Sequence, residues 1–228
     1  MAPVEAAAVP PQGPVRLSRR RLPRGFFDRP AVEVAPALLG RVLVRRLSDD
    51  TRLAGRIVEA EAYEPGDPAS HGFRGPTPRN ASMFGPPGRL YVYFTYGHHW
   101  MMNVVTRPAG EGSAVLLRAI EPLEGLAAMA AARGRTAAHD LCSGPGKLAQ
   151  ALLVDGAQDG EDLVRGPVVW LEAGAPVTPD RIRAGGRVGV SVGVDPHWRF
   201  VVDGDPFVSK GRVGPPWPKG KATGPSTR

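Results

Sequence analysis

The densest group of chemically capable side chains lies in the segment RIVEAEAY, residues 56–63. Alternate side chains share a face on an extended strand, so Ile57, Glu59, Glu61 and Tyr63 are expected on one side. Two carboxylates and a phenol on one face indicate a solvated surface or the wall of a cleft. A single carboxylate in a strand is usually solvated or salt-bridged, and Glu59 fits that simpler interpretation.

The tyrosines are concentrated in a second segment. Three of the four fall within LYVYFTY at 90–96, and the fourth is Tyr63. A tyrosine ring has a flat apolar body and a polar tip, which suits a platform on which a nucleobase stacks. The alternative is that these rings are core or sheet-edge aromatics, and the pattern alone favours that alternative.

Two further groups could bind ligands. The histidines stand at positions 71, 98, 99, 139 and 197. Their spacing matches no metal motif, so neither a metal nor a cofactor is expected. The run Ser143-Gly-Pro-Gly-Lys147 could hold a phosphate on free backbone amides at a helix start. An ordinary capped helix start explains it equally well.

The elements that must position these residues are mostly short strands joined by turns. Strands are expected at 41–47, 53–63, 89–95, within 96–106, and at 114–121, 167–172, 187–194 and 198–202. Helices are expected at 34–40, 122–133 and 145–154, and residues 64–88, with six prolines and five glycines, form a long loop. The predicted class is α+β: a single domain on a curved, mainly antiparallel, open barrel-like β-sheet with a few flanking helices.

Composition excludes several classes of protein. No apolar run approaches the roughly 18–20 residues that a membrane-spanning helix needs. The N-terminus lacks the apolar region of a secretory signal. The single cysteine, Cys142, excludes a disulfide framework and a cysteine-based zinc cluster. These features favour a cytoplasmic protein.

The net charge of +7 comes from the two ends of the chain. Residues 1–30 carry +4 and residues 210–228 carry +5, whereas residues 31–209 carry −2. Both ends are rich in proline and glycine, so we expect a disordered basic arm at 1–22, a folded domain at 23–209 and a disordered basic tail beyond it. The ends could be solubilising tails or weak, salt-sensitive contacts with phosphate backbones.

Many segments, in order, resemble the alkyladenine (3-methyladenine) DNA glycosylase family. They are RIVEAEAY (56–63), the histidine at 71, TPRN (77–80), MF (83–84), LYVYFTYG (90–97), MN (102–103), VLLRAIEPLEG (115–125), LCSGPGKL (141–148), RVGV (187–190) and DPFVS (205–209). The resemblance covers roughly residues 25–209 and overrides the core-aromatic interpretation of the tyrosines. It implies a base-excision repair enzyme that flips alkylated or deaminated purines out of duplex DNA and hydrolyses the N-glycosidic bond. We expect it to act as a monomer on nucleoid DNA, away from membranes.

The resemblance also implies a role for each matched position. Glu61 would be the general base that deprotonates the attacking water, with Arg118 helping to hold that water. Tyr96 would intercalate into the space left by the flipped nucleotide, and Asn103 would crowd the 2-amino group of guanine. The base pocket would contain Tyr63, His71, Tyr93, Met101 and Asn103, and the DNA backbone would contact Arg79 and Lys147.

The scarcity of lysine favours a glycosylase that does not nick the strand. Strand cleavage requires an amine nucleophile, usually lysine, and Lys147 is the only lysine between residues 31 and 209. A water nucleophile that leaves an abasic site is the simpler mechanism. The alternatives are a lesion-binding protein of the same fold without excision activity and an RNA-binding barrel. The presence of Glu61 together with Arg118 favours the enzyme.

Overall fold

The strand that carries Glu59 and Glu61 lies in the middle of the sheet. The computed structural model describes residues 18–95, 97–194 and 196–211. The strands of this part are β1 (Val42–Arg46), β2 (Arg52–Tyr63), β3 (Leu90–Thr95), β4 (His99–Thr106), β5 (Ser113–Glu124), β6 (Val169–Glu172), β7 (Ile182–Gly185) and β8 (Arg199–Val202). All their pairings are antiparallel. The prediction of an α+β fold on a curved antiparallel sheet is confirmed.

The topology places β2 between three partners. The main path of the sheet runs β3-β4-β5-β2-β1-β6, and β8 pairs with both β2 and β7. Along one edge β2 pairs with β5, while β1 takes the first half of the other edge and β8 takes the second half, at residues 59–61. Side chains from β2, β5 and β8 therefore meet around the second half of β2.

The helices cover the sheet and complete the apolar core. They are α1 (Ala31–Leu38), α2 (Leu126–Arg133), α3 (Ala138–Leu141) and α4 (Pro145–Ala151). Buried leucines and valines of these helices and of the central strands form one hydrophobic cluster. Burial of such side chains contributes about 25 cal/mol per Å² of apolar surface removed from water. Within the described ranges, no helix has both the length and the hydrophobicity to cross a membrane.

The expected helix over 122–133 is wrong at its start. Strand β5 continues to Glu124, and Pro122 pairs with Gly55 at an irregularity in the register. A proline lacks the amide proton that a regular ladder requires, and an irregularity tolerates it. The chain then turns at Gly125, which has a φ of +78° and no space for a Cβ against Arg52 O at 2.7 Å. Only after this turn does α2 begin.

The strand expected over 187–194 is also wrong. Its glycines at 189 and 193 adopt φ values of +78° and +61°, which interrupt an extended strand. The segment 186–194 is irregular instead, and the β7 strand ends before it at Gly185. This segment borders the cavity described below. The positive φ values of these glycines therefore give an irregular path beside the cavity in place of the expected strand.

A register shift in β2 alters the predicted face. The shift falls between Ile57 and Glu59, so Ile57 packs in the apolar core and does not continue the face of Glu59 and Glu61. Both glutamates are fully buried, so the face is not solvated. Of the two interpretations offered for Glu59, the structure shows the salt-bridged one.

The first described residues pack against the edge of the sheet. Leu22 is buried in the core and its amide donates to Leu171 O at 2.9 Å, while Arg20 O accepts from Ala173 N at 2.8 Å. Residues 20–22 thus run alongside β6, within the range assigned to the arm. Residues 1–17 and 212–228, which hold most of the predicted arm and tail, lie outside the described residues.

Candidate active site

A cavity of about 300 Å³ opens beside the second half of β2. This volume lies at the lower end of the range typical of small-molecule sites. Its lining combines aromatic rings, two methionines and a few polar groups. The lining residues are Tyr63, Ala69, His71, Met83, Tyr91, Tyr93, Thr95, Met101, Asn103, Leu116, Arg118, Pro145, Val188, Gly189 and Val190.

Three rings form a continuous aromatic wall of the cavity. The His71 and Tyr93 ring centroids lie 4.3 Å apart, and those of Tyr91 and Tyr93 lie 5.4 Å apart. His71 Nδ1 is 2.9 Å from the Tyr91 hydroxyl, which fixes both rings. Burial, together with the positive charge of Arg79, lowers the pKa of His71, so this wall carries a neutral imidazole at pH 7. Such a wall can stack on a flat, electron-poor ligand.

Tyr63 supplies a further ring and reaches behind the cavity lining. Its hydroxyl donates a 3.0 Å hydrogen bond to Glu61 Oε2. Burial, together with the neighbouring negative charge of Glu61, raises the pKa of the Tyr63 phenol. The phenol therefore keeps its proton at neutral pH and acts as a donor to the carboxylate.

Glu61 lies immediately behind the cavity wall and is fully buried. Its contacts all come from residues that line the cavity: the Tyr63 hydroxyl, the Val188 amide at 2.8 Å from Oε1, and Arg118 Nη1 at 3.2 Å from Oε1. Burial raises the pKa of the Glu61 carboxyl above its ordinary value, and the charge of Arg118 opposes this shift without cancelling it. The ionised form of Glu61 is therefore less completely stabilised than that of a carboxylate in a structural ion pair.

Arg118 joins the two glutamates of β2. Its Nε donates to Glu59 Oε1 at 2.7 Å, and its Nη1 contacts Glu61. The side chain is almost completely buried but forms part of the cavity lining. This position brings one positive charge to the cavity from the side on which Glu61 lies.

Strand β4 contributes one polar and one flexible side chain to the cavity. Asn103 lines the cavity and donates from Nδ2 to Tyr91 O at 3.2 Å, so its amide orientation is fixed. Met101 lines the same cavity with a deformable apolar side chain. Three of the five predicted pocket residues, Tyr63, His71 and Tyr93, supply rings, and these two residues complete the set around one cavity.

Two of the remaining predicted residues, Arg79 and Lys147, do not line this cavity. Arg79 is exposed, donates to Phe94 O at 2.8 Å, and borders a neighbouring cavity that shares His71 and Tyr91 with the first. Lys147 is near the start of α4, where its Nζ donates to Ser143 Oγ at 3.3 Å. The predicted intercalating residue, Tyr96, falls outside the described residues.

Sequence reasoning did not single out three residues of the site. Tyr91 lines the cavity next to Tyr93, as the alternation of LYVYFTY could have indicated. The guanidinium of Arg187 is buried behind Tyr63, 4.7 Å from the ring centroid, and pairs with both oxygens of Asp67. Val188 contributes the backbone amide that contacts Glu61. The matched segment RVGV marked the region, but its residue types alone specify no contact with Glu61.

Within the described ranges, no three histidine, cysteine, aspartate or glutamate side chains are grouped so that they could hold a metal ion. The chain's one cysteine is buried, and burial raises its thiol pKa to about 12, so it is present as the unreactive thiol at neutral pH.

The chain is similar to a known protein family over most of its length. Residues 25–206 match the family model described as methylpurine-DNA glycosylase. A relative from Burkholderia lata, described as "Putative 3-methyladenine DNA glycosylase", is 53% identical over 193 residues, which cover 82% of this chain and 90% of the relative. Relatives with the same description come from Streptomyces avermitilis, at 52% identity over 87% of this chain and 95% of the relative, and from Chlorobaculum tepidum, at 45% over 89% and 97%.

Proposed function

The chain belongs to the methylpurine-DNA glycosylase family and is a DNA glycosylase, and from this premise we propose a mechanism and a lesion class. We propose that it flips alkylated or deaminated purines out of duplex DNA and hydrolyses the bond between base and sugar with a water activated by Glu61. The observation that carries the proposal is a buried carboxylate directly behind an aromatic cavity, in contact with the Tyr63 and Arg118 side chains that line it.

The cavity walls support binding of a flat base outside the helix. A nucleotide must leave the stack before an enzyme can reach its glycosidic bond. The flipped base would stack among Tyr63, His71 and Tyr93. A methylated purine that carries a positive charge would gain about 0.5–2 kcal/mol from the electron-rich ring faces. The 2-amino group of a normal guanine would be crowded by Asn103, which disfavours the undamaged base.

Glu61 is suited to accept a proton from water. A carboxylate has about four acceptor positions, and three are engaged by Tyr63, Val188 and Arg118. The fourth would accept the proton of a water molecule whose oxygen bonds to C1′ of the sugar. As that bond forms, the bond between C1′ and the base nitrogen breaks, and its electron pair leaves with the base. Because the pKa of Glu61 is raised, it lies closer to neutral pH than that of an ordinary glutamate, which favours proton transfer from water.

Arg118 would assist without taking part in proton transfer. The transition state has oxocarbenium character, so the negative charge of Glu61 stabilises it electrostatically. Arg118 keeps that carboxylate ionised and oriented, and as a cavity-lining cation it can also contact the attacking water or a neighbouring phosphate. A backbone carbonyl would complete the water site. This carbonyl would come from near Val190, which lines the cavity two residues beyond the Val188 amide that contacts Glu61.

The wider proposal concerns DNA contact and organisation. Tyr96 would fill the gap left by the flipped nucleotide, and Arg79 and Lys147 would contact the backbone. The catalytic domain would span residues 23–209 and act as a monomer on nucleoid DNA, with the basic arm and tail at its ends. Without a lysine in the site, the enzyme would leave an intact strand with an abasic sugar.

Release of free base tests this proposal. Duplexes that carry 3-methyladenine, hypoxanthine or ethenoadenine are incubated with the full chain, and the released base and the strand are measured separately. We expect free base from at least one lesion duplex and intact strands until alkali is added. Strand cleavage that is trapped by borohydride would contradict the water mechanism. Release from undamaged DNA at the same rate would contradict the specificity.

A further inference from the structure

Glu59 occupies a buried position that the proposed mechanism leaves unused. Its carboxylate is fully buried and does not line the cavity. Oε1 accepts from Arg118 Nε at 2.7 Å, from Arg199 Nε at 2.8 Å and from Ser209 Oγ at 2.9 Å, and Oε2 accepts from Ser209 N at 2.7 Å. Three of these donors converge on Oε1 and one reaches Oε2, and two of the donors are arginines that hold Glu59 as an anion. Because it is held in this way and does not line the cavity, Glu59 is not placed to replace Glu61 as the base.

The arrangement around Glu59 ties three parts of the chain to the candidate site. Arg118 comes from β5, Arg199 from β8, and Ser209 from the segment that follows β8. Arg199 Nη2 also donates to Ser209 O at 3.4 Å, so both Glu59 and Arg199 hold the C-terminal segment. Arg118 is the member of this group that lines the cavity, so it connects the group to the candidate site.

The charges of the group are balanced but unevenly distributed. Two glutamates and two arginines are buried together, and Glu59 contacts both arginines while Glu61 contacts only Arg118. The Arg118 contact with Glu59 is also the shorter, at 2.7 Å against 3.2 Å for Glu61. Glu59 thus takes the larger share of the positive charge, and Glu61 is left the less neutralised of the two.

We propose that Glu59 is a positioning residue for base excision: backed by Arg199 and Ser209, it fixes the Arg118 guanidinium and withdraws part of its charge from Glu61. The inference rests on the proposed role of Glu61 as the base. If Glu59 held Arg118 less strongly, Arg118 would pair fully with Glu61, and the ionised carboxylate would be a weaker proton acceptor. If Glu59 were less neutralised, Arg118 would be drawn further from Glu61.

The charged and titratable groups around Glu61 come from several elements. Tyr63 on β2 donates to it, Arg118 reaches it from β5, and Glu59 repels it from the same strand. Arg187 lies within electrostatic range from the 186–194 segment but is paired with Asp67. Because the Tyr63 and Arg187 contacts are kept when Glu59 or Arg199 is replaced, a shift in the pH dependence of excision reports on the group around Glu59.

Opposite shifts of the pH profile test the inference. Single-turnover excision of hypoxanthine is measured from pH 4.5 to 9 with saturating full-length enzyme. In Glu59→Gln a repelling charge is lost and Arg118 is no longer shared, so we expect the acid midpoint to fall by about one pH unit and the plateau rate to fall about 10–100-fold. In Arg199→Gln the uncompensated Glu59 repels Glu61 and attracts Arg118, so we expect the acid midpoint to rise.

The matched control is Glu121→Gln. Glu121 contacts Arg56 at 2.6 Å across the same two strands, β2 and β5, and Arg56 also holds Asp205 of the C-terminal segment at 2.7 Å, yet none of these residues lines the cavity. We expect its pH profile to match the wild type. Loss of packing alone would lower the excision rate of each variant at every pH without moving the acid midpoint of its profile. If a glutamine variant does not fold, Ser209→Ala, which removes one neutral donor from Glu59, should give a smaller rise of the midpoint.

The possible results separate this inference from the proposed function. Unchanged acid midpoints in all folded variants, or shifts in the same direction for Glu59→Gln and Arg199→Gln, would overturn the role of Glu59. Glu61→Gln serves as the reference. If that variant keeps full excision, the proposed base is wrong. If it loses excision while the midpoints of the other variants stay fixed, only the inference about Glu59 fails.

Discussion

The two ends of the antiparallel β2–β5 pair contain the same residue types in different environments. At the end away from the cavity, Arg52 contacts Glu124 at 2.9 Å and Glu172 at 2.8 Å, and most of these side chains are partly exposed. At the cavity end, Arg118 contacts Glu59 and Glu61, and all three side chains are almost completely buried. Solvent screens the first group, whereas charges in the second interact more strongly and are more costly to leave unpaired. The two ends therefore differ in how strongly their charges interact.

The comparison also separates the two glutamates of the cavity end. Burial alone would raise the pKa of Glu59, but the charges of Arg118 and Arg199 and the Ser209 amide outweigh it, so the pKa of this carboxyl is lowered. At Glu61 the effect of burial prevails and the pKa is raised. Two residues apart on one strand, one carboxylate is held as a permanent anion and the other is prepared to accept a proton.

Removal of the Glu59 charge should produce the largest difference in stability between the two ends. Glu59→Gln leaves Arg118 and Arg199 buried without their shared anion, and we expect the free energy of unfolding to fall by about 3–5 kcal/mol. Glu124→Gln, at the partly exposed end, should cost about 1 kcal/mol or less. Urea unfolding followed by tryptophan fluorescence measures both. Equal losses would show that the two ends do not differ.

Removal of the phenol that contacts Glu61 should have a moderate effect on excision. Tyr63→Phe keeps the ring but removes the donor to Glu61 Oε2, so we expect the single-turnover rate to fall about tenfold. Because that donor lowers the pKa of Glu61, the acid midpoint of the rate should also move to higher pH. Tyr91→Phe is the matched control, since it removes the contact with His71 and leaves Glu61 untouched. A midpoint that shifts equally in both variants would refute this explanation.

Replacement of Asn103 should change selectivity more than stability. Asn103→Ser shortens the side chain that we expect to crowd guanine, while the remaining cavity lining is kept. We expect excision of 7-methylguanine relative to hypoxanthine to rise several-fold, about 1 kcal/mol in relative barrier. Competition between the two lesion duplexes measures the ratio. A ratio that stays the same would remove Asn103 from the determinants of lesion choice.

The smallest expected effects lie in the pH dependence of stability, and they have opposite signs at the two glutamates. The raised pKa of Glu61 means that its contribution to stability is present below its unfolded pKa and is lost as pH rises through its folded pKa. Glu61→Gln should therefore gain stability relative to the wild type as pH increases. The lowered pKa of Glu59 gives the reverse, so the cost of Glu59→Gln should shrink as pH falls. Unfolding free energies between pH 4 and pH 8 would reveal either sign.

Much of the scaffold could be predicted from the sequence. Alternating apolar residues at 41–47, 53–63, 89–95 and 114–121 gave strands within a few residues of β1, β2, β3 and β5. The start of α2 and the path of 186–194 could not be predicted in the same way. Pro122 is a plausible first residue of a helix, and only its pairing with Gly55 keeps it in β5. Such long-range pairings are not encoded in the local pattern.

The candidate site could likewise be predicted only in part, because some of its contacts are long-range. The matched motifs selected Tyr63, His71, Tyr93, Asn103 and Arg118, and all five line one cavity together with Met101, which was also predicted for the pocket. The resemblance assigned the base to Glu61, but the local pattern contains no physical reason for the difference from Glu59, because both lie on one short segment and both are carboxylates. Their difference depends on Arg199, 140 residues further along the chain, and on Ser209. Charge balance in a buried site is a property of the folded chain.

The most direct test of the central claim compares Glu61→Gln with the wild type on one hypoxanthine duplex, with binding and single-turnover excision measured on the same preparations. Glutamine preserves the size of the side chain and can still accept from Tyr63, but it cannot take a proton from water. We predict that the affinity for the lesion duplex stays within about threefold and that the excision rate falls by about 10²–10⁴-fold. An excision rate within tenfold of the wild type at equal binding would contradict the assignment of Glu61 as the base.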